Sequence, residues 1–407
     1  MSVQELLLTP EDLPAGFRFA AVTAGIKASG KPDFALVATD SRVAASALYT
    51  ANRVQAAPLV IDREHLAKSG GQLRIIAVNS GNANCATGEQ GLAAARLVCE
   101  AAANVFGCAA HEVFPSSTGI IGVPLPADLL VAALPAAKEQ AAATAEQFSA
   151  FARALLTTDT RAKVAVATCI VGGKKIRLAG ATKGAGMIGP QLVPHATMLA
   201  YIFTDATLTP ASLDGYLRQA VNKSFNCISI DGDMSTNDTV LLAASGASGV
   251  EVGADNAEFA TALHSLAVSL ARQIADDGEG ITHLVELNIE GAPSDKAAHT
   301  IARAIANSPL VKTAWAGNDP NWGRLMAAIG YSGVAVEPEK ISIWFGEQEI
   351  CRHGGRSPLY NEAAAHQYLC QREFTIRISL AMGHGQCRFW TTDLTHEYVS
   401  INAEYST

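Results

Sequence analysis

Val164-Ala-Val-Ala-Thr-Cys-Ile-Val171, Gly172-Gly173 and Lys174-Lys-Ile-Arg-Leu-Ala-Gly-Ala181 are two strand-length runs joined by a pair of glycines. Two glycines supply the positive φ angles of a two-residue turn, so the segment reads as an antiparallel hairpin. The second strand leads into Thr182-Lys-Gly-Ala-Gly-Met-Ile-Gly-Pro-Gln-Leu-Val-Pro-His195, and Met198-Leu-Ala-Tyr-Ile-Phe203 then forms a continuous apolar run. Such a run fits a strand buried on both faces. Ala196-Thr197 thus sits where a loop meets a buried strand.

Phe17 to Gly25, Phe34 to Thr39 and Leu73 to Asn79 have strand length and β-branched or aromatic content and are expected to join the same sheet. Gly91 to Phe106 repeats its apolar residues at helical intervals and stops at Gly107. Thr144-Ala-Glu-Gln147 is a capping box that opens a helix running to about Thr157 and ending at the polar Thr157-Thr-Asp-Thr160. Thr209-Pro210 starts another helix, and Phe259 to Ile274 carries a long apolar stripe. His283 to Glu290, Ile341 to Phe345 and Phe374 to Leu380 read as further strands. Hairpin-linked, antiparallel strands with segregated helices favour an α+β sandwich, layered sheets flanked by helices, over a doubly wound parallel sheet.

Of the 407 residues 49% are hydrophobic and 17% charged, as in folded globular chains. The formal charge of −8 would repel a phosphate backbone, so no nucleic-acid partner is expected. No apolar stretch reaches the ~20 residues of a membrane helix, so no membrane partner is expected either. Leu6-Leu7-Leu8 is too short for a signal peptide and lacks a basic lead, which makes the cytoplasm the expected compartment. The 8 cysteines form no Cys-x-x-Cys pair and no spacing with histidine that suits a metal; they read as buried small hydrophobes, and neither metal nor cofactor is expected.

Gly184-Ala-Gly186-Met-Ile-Gly189 matches the dinucleotide fingerprint in letters only, because Pro190 and Pro194 prevent the helix whose N-terminus would hold a pyrophosphate. Asp231-Gly-Asp233-Met-Ser235 begins like a calcium loop but lacks its later glycine and glutamate, and reads as a polar turn. The loop-to-strand junction offers other chemistry. Thr197 Oγ1 attacking the Ala196 carbonyl would give an ester, and water would cleave it to leave a chain that starts at Thr197. Its α-amine, with a pKa of about 7.7 to 8.0, would serve as base for its own hydroxyl. The plain alternative is a β-branched residue that starts a strand. Pro115-Ser-Ser-Thr118-Gly119-Ile-Ile-Gly122 offers a hydroxyl and an unobstructed backbone N–H for an oxyanion, or else an ordinary turn between two strands.

Taken in order, Val78-Asn-Ser-Gly-Asn-Ala-Asn84, Ser117-Thr-Gly-Ile-Ile-Gly122, Thr157-Thr-Asp-Thr160, Lys183-Gly-Ala-Gly-Met-Ile188, Ala196-Thr-Met-Leu199 with Thr204-Asp-Ala206, Gly317-Asn-Asp-Pro-Asn-Trp-Gly-Arg324 and Ile401-Asn-Ala403 resemble the ornithine acetyltransferase family of arginine biosynthesis. The resemblance runs from about residue 20 to the C-terminus. It implies a self-cleaving fold with an N-terminal threonine nucleophile, shared with related aminopeptidases, and a cut between Ala196 and Thr197. The products would be an α chain of residues 1–196 and a β chain of residues 197–407, assembled as an α2β2 heterotetramer. Thr197 would carry the acetyl group from N2-acetylornithine to glutamate in a ping-pong cycle. Thr118 and Gly119 would form the oxyanion hole, and Thr158, Lys183, Thr197, Glu279, Asn402 and Thr407 would bind substrate. Such a family has members with one function and members with two, so the residues leave open whether acetyl-CoA is a second donor.

Physical reasons support parts of this. Both substrates carry an α-carboxylate, for which Lys183 is a local cation in an acidic protein. Glu279 follows a helix C-terminus, where acid opposes the helix dipole, and this points toward function. The chain also departs from the family: the Lys183-to-Thr197 loop is longer than usual, Ile281-Thr-His283 replaces Ala-Thr-Lys, and Ser406 stands where Arg is common. Two other readings remain open, an amidohydrolase or aminopeptidase on the related self-cleaving fold, and an uncleaved homologue without chemistry.

Overall fold

The computed structural model describes residues 8–189 and 198–404. The N-terminal half builds β1 (Arg18–Val22), β2 (Phe34–Tyr49), α1 (Ala57–Ser69), β3 (Gln72–Asn82), α2 (Gly88–Phe106), β4 (Val113–Ile120), α3 (Ala127–Gln140), α4 (Ala145–Ala154), β5 (Lys163–Val171) and β6 (Lys174–Lys183). Then come β7 (Leu199–Thr204), α5 (Pro210–Asn222), β8 (Thr239–Ala244), α6 (Ala257–Ala275), β9 (Leu284–Ala292), α7 (Asp295–Ala306), α8 (Pro309–Ala316) and α9 (Trp322–Gly330). The chain continues through β10 (Ser342–Phe345), β11 (Gln348–Arg352), β12 (Gly355–Arg356), α10 (Glu362–Leu369), β13 (Glu373–Ser379), β14 (Gly385–Thr392) and α11 (His396–Glu404).

Two sheets result. The 8-stranded sheet has the order β4-β3-β2-β8-β7-β6-β5, with β1 also on β2; the 6-stranded sheet has the order β12-β11-β10-β13-β9-β14. The expected hairpin is β5/β6, registered from Lys163 opposite Thr182 to Val171 opposite Lys174, with Gly172 and Gly173 at φ 56° and 77°. The run after the loop is β7, buried at every position. Leu199, Tyr201 and Phe203 face a core with Phe19, Phe148 and Phe151, while Ala200 and Ile202 face α5 and α6. Helices α5 and α6 pack between the two sheets: Leu213, Leu217, Leu266 and Leu270 share one core with Ile202, Leu242, Leu287 and Phe389.

Several expectations change. The sheets are mainly antiparallel, as expected, but not wholly so: β3/β4, β7/β8 and β9/β13 are parallel. Each parallel pair requires a crossover, supplied by α2, α5 and the α7-to-α10 region. The strand at Phe34 runs to Tyr49, because Val43 onward turns past an exposed irregularity at residues 40–42 to pair with β8. The capped helix α4 ends at Ala154, short of Thr157, with Thr144 Oγ1 accepting from the Gln147 N–H as expected. Cys85, Cys99, Cys227 and Cys351 are buried, but Cys370 is exposed and Cys108, Cys169 and Cys387 are half-buried. Among the described residues, no helix is long and apolar enough to cross a membrane.

Candidate active site

A cavity of about 110 Å³ opens where the ends of β4, β6 and β7 meet the segments after α6 and within α11. Its lining brings together Thr118, Gly119, Thr158, Lys183, Gly186, Met198, Glu279 and Asn402. Every described residue assigned to the site from sequence therefore reaches one place. Ala196, Thr197 and Thr407 lie outside the described residues; Met198, which follows Thr197, lines the cavity and is buried.

Thr118 and Gly119 belong to β4 and not to a turn. Gly119 has φ 134°, and a Cβ there would stand 2.3 Å from the Gly81 carbonyl carbon, so only glycine permits this approach. The asparagines of residues 79–84 hold the neighbouring loop. Asn79 Nδ2 donates to Asn82 O at 2.8 Å, Asn79 Oδ1 accepts from Ser117 Oγ at 2.6 Å, and Asn84 N donates to Asn82 Oδ1 at 2.8 Å. From before β8, Asn237 Nδ2 donates to Ala83 O at 2.6 Å and Ser117 O at 2.8 Å. These amides satisfy carbonyls that the sheet cannot reach and fix the backbone that carries Thr118.

The opposite wall rests on buried charge. Lys163, the first residue of β5, has a wholly buried side chain that donates to Asp159 Oδ1 and Asp277 Oδ2, both at 2.6 Å. Asp159 Oδ1 also accepts from Gly184 N at 2.6 Å, and Oδ2 accepts from Thr157 N at 3.1 Å. Lys183 Nζ stands 3.9 Å from Asp159 Oδ2. Burial would raise the Asp159 carboxyl, but Lys163, Lys183 and the Gly184 N–H outweigh it and hold it well below the usual carboxylate range. Burial lowers the Lys183 ammonium, against the opposing pull of Asp159. Asp277 accepts from Thr160 N at 3.1 Å and from the Thr160 hydroxyl.

The acids after α6 divide their duties. Asp276 pairs with Arg161 at 2.6 Å and Arg372 at 3.0 Å, and Asp277 with Lys163, which explains carboxylates at a helix C-terminus without calling on the dipole. Glu279 alone of these faces the cavity, where its Oε2 accepts from Asn402 Nδ2 at 2.9 Å. Gly186 lies against that carboxylate: a Cβ on it would be 2.4 Å from Oε2. Met187, at φ 55°, and Ile188 donate their N–H groups to Asp231, each at 2.7 Å. Asp231 thus pins the glycine loop, and Tyr398 of α11 donates at 3.2 Å to its Oδ2, the oxygen that also takes the Met187 N–H.

Asn402 is carried in by α11, which packs so closely on Gly280 that a Cβ there would meet Tyr398 N at 2.5 Å. The departure at residues 281–283 stays off the cavity: Asp393 accepts from the Thr282 and His283 N–H groups, and His283 Nδ1 lies 2.8 Å from Gln371 O. The motif at residues 317–324 caps α8 and α9, with Asn321 Oδ1 accepting from Arg324 N at 3.2 Å. A larger cleft of about 1240 Å³ between α6, α7, β9 and β14 has its arginines already engaged, Arg377 by Glu290 at 3.0 Å and Arg388 by Glu286 at 2.6 Å.

Sequence reasoning missed Lys163, Asp159, Asp277, Asn237 and Asp231. Available signals were a lysine opening a strand of otherwise apolar alternation, the aspartate of Thr157-Thr-Asp-Thr160, and the paired acids of Asp276-Asp277. Among the described residues, no group of three or more His, Cys, Asp or Glu side chains is arranged to hold a metal ion.

Residues 18–407 match the model of the ArgJ family. A protein of Geobacter sulfurreducens described as arginine biosynthesis bifunctional protein ArgJ is 44% identical over 397 residues, covering 96% of this chain and 99% of its own. One of the same description from Rhizobium meliloti is 42% identical over 404 residues, 97% of this chain and 96% of its own. A solved chain of that description from Bacillus halodurans is 40% identical, covers 51% of this chain and 100% of its own, and superposes with a TM-score of 0.49. With its motifs in order and its relatives matched end to end, the chain belongs to the ArgJ family, and with it to the acyltransferases of arginine biosynthesis.

Proposed function

We propose that the chain cuts itself between Ala196 and Thr197 and then moves an acetyl group from N2-acetylornithine to glutamate through an ester on Thr197. The observation that carries this reading is the convergence, on the cavity that Met198 lines, of Thr118-Gly119, Lys183, Glu279 and Asn402. In the cut, Thr197 Oγ1 attacks the Ala196 carbonyl, the acyl group shifts from N to O, and one water hydrolyses the ester. In turnover, the freed α-amine takes the Oγ1 proton as Oγ1 attacks the acetyl carbonyl. The Gly119 N–H and the Thr118 hydroxyl receive the oxyanion. Collapse breaks the amide C–N bond, and the proton passes from the α-amine to the departing ornithine nitrogen. The glutamate amine then attacks the ester, and Thr197 recovers its proton.

Lys183 receives the α-carboxylate common to both substrates, Glu279 attracts an ammonium group, and Thr158, Asn402 and Thr407 complete the binding wall. The description of the relatives as bifunctional is the ground for testing acetyl-CoA as a second donor. The pieces, residues 1–196 and 197–407, stay together on this reading because β2/β8 and β6/β7 pair across the division within one sheet; the assembly proposed is α2β2.

The test is a denaturing gel with N-terminal sequencing of the smaller fragment, followed by acetyl transfer from acetylornithine to glutamate and then from acetyl-CoA to glutamate. A fragment beginning at Thr197 and transfer from acetylornithine are expected. Thr197→Ala should stay full length and inactive; turnover by that variant would end the proposal.

A further inference from the structure

We propose that Lys163 is a positioning residue of this site, one that holds the Lys183 ammonium loosely against Asp159 so that it remains available to a substrate carboxylate. The inference rests on reading the cavity as the acyl-transfer site and adds to it the group that sets its carboxylate anchor.

Four charged side chains form the buried core of this wall, with Lys27, Glu279 and Asp238 acting on Lys183 from farther out. Lys163 and Asp159 are fully buried, Asp277 is 3% exposed and Lys183 is 11% exposed. Two cations thus meet two anions, a balance that buried charge requires. The two cations are bound unequally. Lys163 makes contact bonds of 2.6 Å to both aspartates, while Lys183 stands at 3.9 Å, beyond hydrogen-bond range. Asp159 explains the difference: Oδ1 is occupied by Lys163 and Gly184 N, and Oδ2 already accepts from Thr157 N. With its acceptor sites largely filled, Asp159 steers Lys183 without gripping it. The ammonium therefore keeps hydrogen-bonding capacity toward the cavity that it lines.

Lys163 also links distant parts of the wall. Its bond to Asp277 spans 114 residues of sequence and ends two residues before Glu279, while Asp159 follows Thr158 directly. One ammonium thereby fixes the spacing among Thr158, Lys183 and Glu279. Without it, Lys183, at 3.9 Å, would be the nearest cation left to Asp159 among the described residues. It would close to contact with Asp159 and withdraw from the cavity.

The test compares Lys163→Met with the charge-balanced pair Lys163→Met/Asp277→Asn, which removes one cation and one anion and is expected to recover the parent's melting temperature. Two readouts are taken. Reductive methylation followed by peptide mass spectrometry reports Lys183 directly, and its labelling rate should fall about tenfold in the balanced pair. Steady-state transfer should show KM for glutamate raised about tenfold with kcat within threefold. In a Lys183→Met background, the same changes at residues 163 and 277 should alter KM less than twofold, since they act through Lys183. A folded balanced pair with unchanged Lys183 labelling, or equal effects with and without Lys183, overturns the inference. A cleaved parent that transfers no acetyl group would instead overturn the proposed function, and the labelling would still decide the role of Lys163.

Discussion

Gly186→Ala tests whether Glu279 works from a fixed position. The new Cβ would stand 2.4 to 2.5 Å from the Glu279 carboxyl atoms, where ordinary contact begins at 3.4 Å. The carboxylate must therefore retreat by about 1 Å, against its 2.9 Å bond from Asn402. Gly186 does not have a positive φ, so alanine brings no backbone penalty. The obstacle is the far end of a side chain, which can rotate away, and the stability cost is bounded by one charged hydrogen bond, about 1.5 to 3 kcal/mol. Catalysis has less tolerance: a displacement near 1 Å costs on the order of 100-fold, or about 2.7 kcal/mol of transition-state stabilisation. The expected result is normal cleavage, a modest fall in melting temperature and a kcat/KM from acetylornithine to glutamate lowered about 100-fold. Gly186→Ala/Glu279→Asp, with a shorter acid, should recover part of it. A folded, cleaved Gly186→Ala enzyme with kcat/KM within threefold of the parent would refute the reasoning.

Other outcomes follow from the same geometry. Asn237→Ala leaves the Ala83 and Ser117 carbonyls without their donor, so urea denaturation should show a loss of about 1 to 3 kcal/mol and kcat should fall with the displacement of Thr118. Phe151→Ala empties a fully buried position beside Phe19, Tyr201 and Phe203 and should cost about 3 to 5 kcal/mol in the same measurement. Lys312, buried and donating to Thr391 and Thr392, is pushed down to about 7 by burial, with Asp393 and Asp231 opposing. A lowered folded-state value means the unfolded chain binds more protons between about pH 7 and 10.5, so stability rises with pH there, by at most about 1.4 kcal/mol per pH unit. Denaturation at pH 7 and 9 should show that rise in the parent and its loss in Lys312→Met. Deleting residues 405–407 should lower kcat/KM while leaving cleavage and melting intact; unchanged turnover would exclude Thr407 from the substrate wall.

What the sequence reveals depends on the range of the interaction. The β5/β6 hairpin and β7 are local patterns, a glycine pair and an unbroken apolar run, and both are found where expected. Strand β4 escaped because Pro115 and three hydroxyl residues read as a turn; its place at the end of the strand order tolerates a proline. Strands β8 and β14 take their form from distant partners, β2 and β7 for the first and β9 for the second. At the site, Thr118 could be picked out by residue type and position, and Lys183 and Glu279 through the family resemblance. Lys163 could not, because its meaning lies in a carboxylate 114 residues away. Asn237 escaped likewise, since it serves one carbonyl just past β3 and another within β4.

The shared sheet has a consequence for the order of events in the life of the molecule. Strand β7 lies between β6 and β8, one from each side of the proposed scission, so neither product holds a complete layer. Maturation on this reading must come after the topology is complete, and it turns a unimolecular folding problem into an encounter between two fragments. Mature protein diluted from denaturant should then recover with a yield that depends on concentration, whereas intact Thr197→Ala precursor should not.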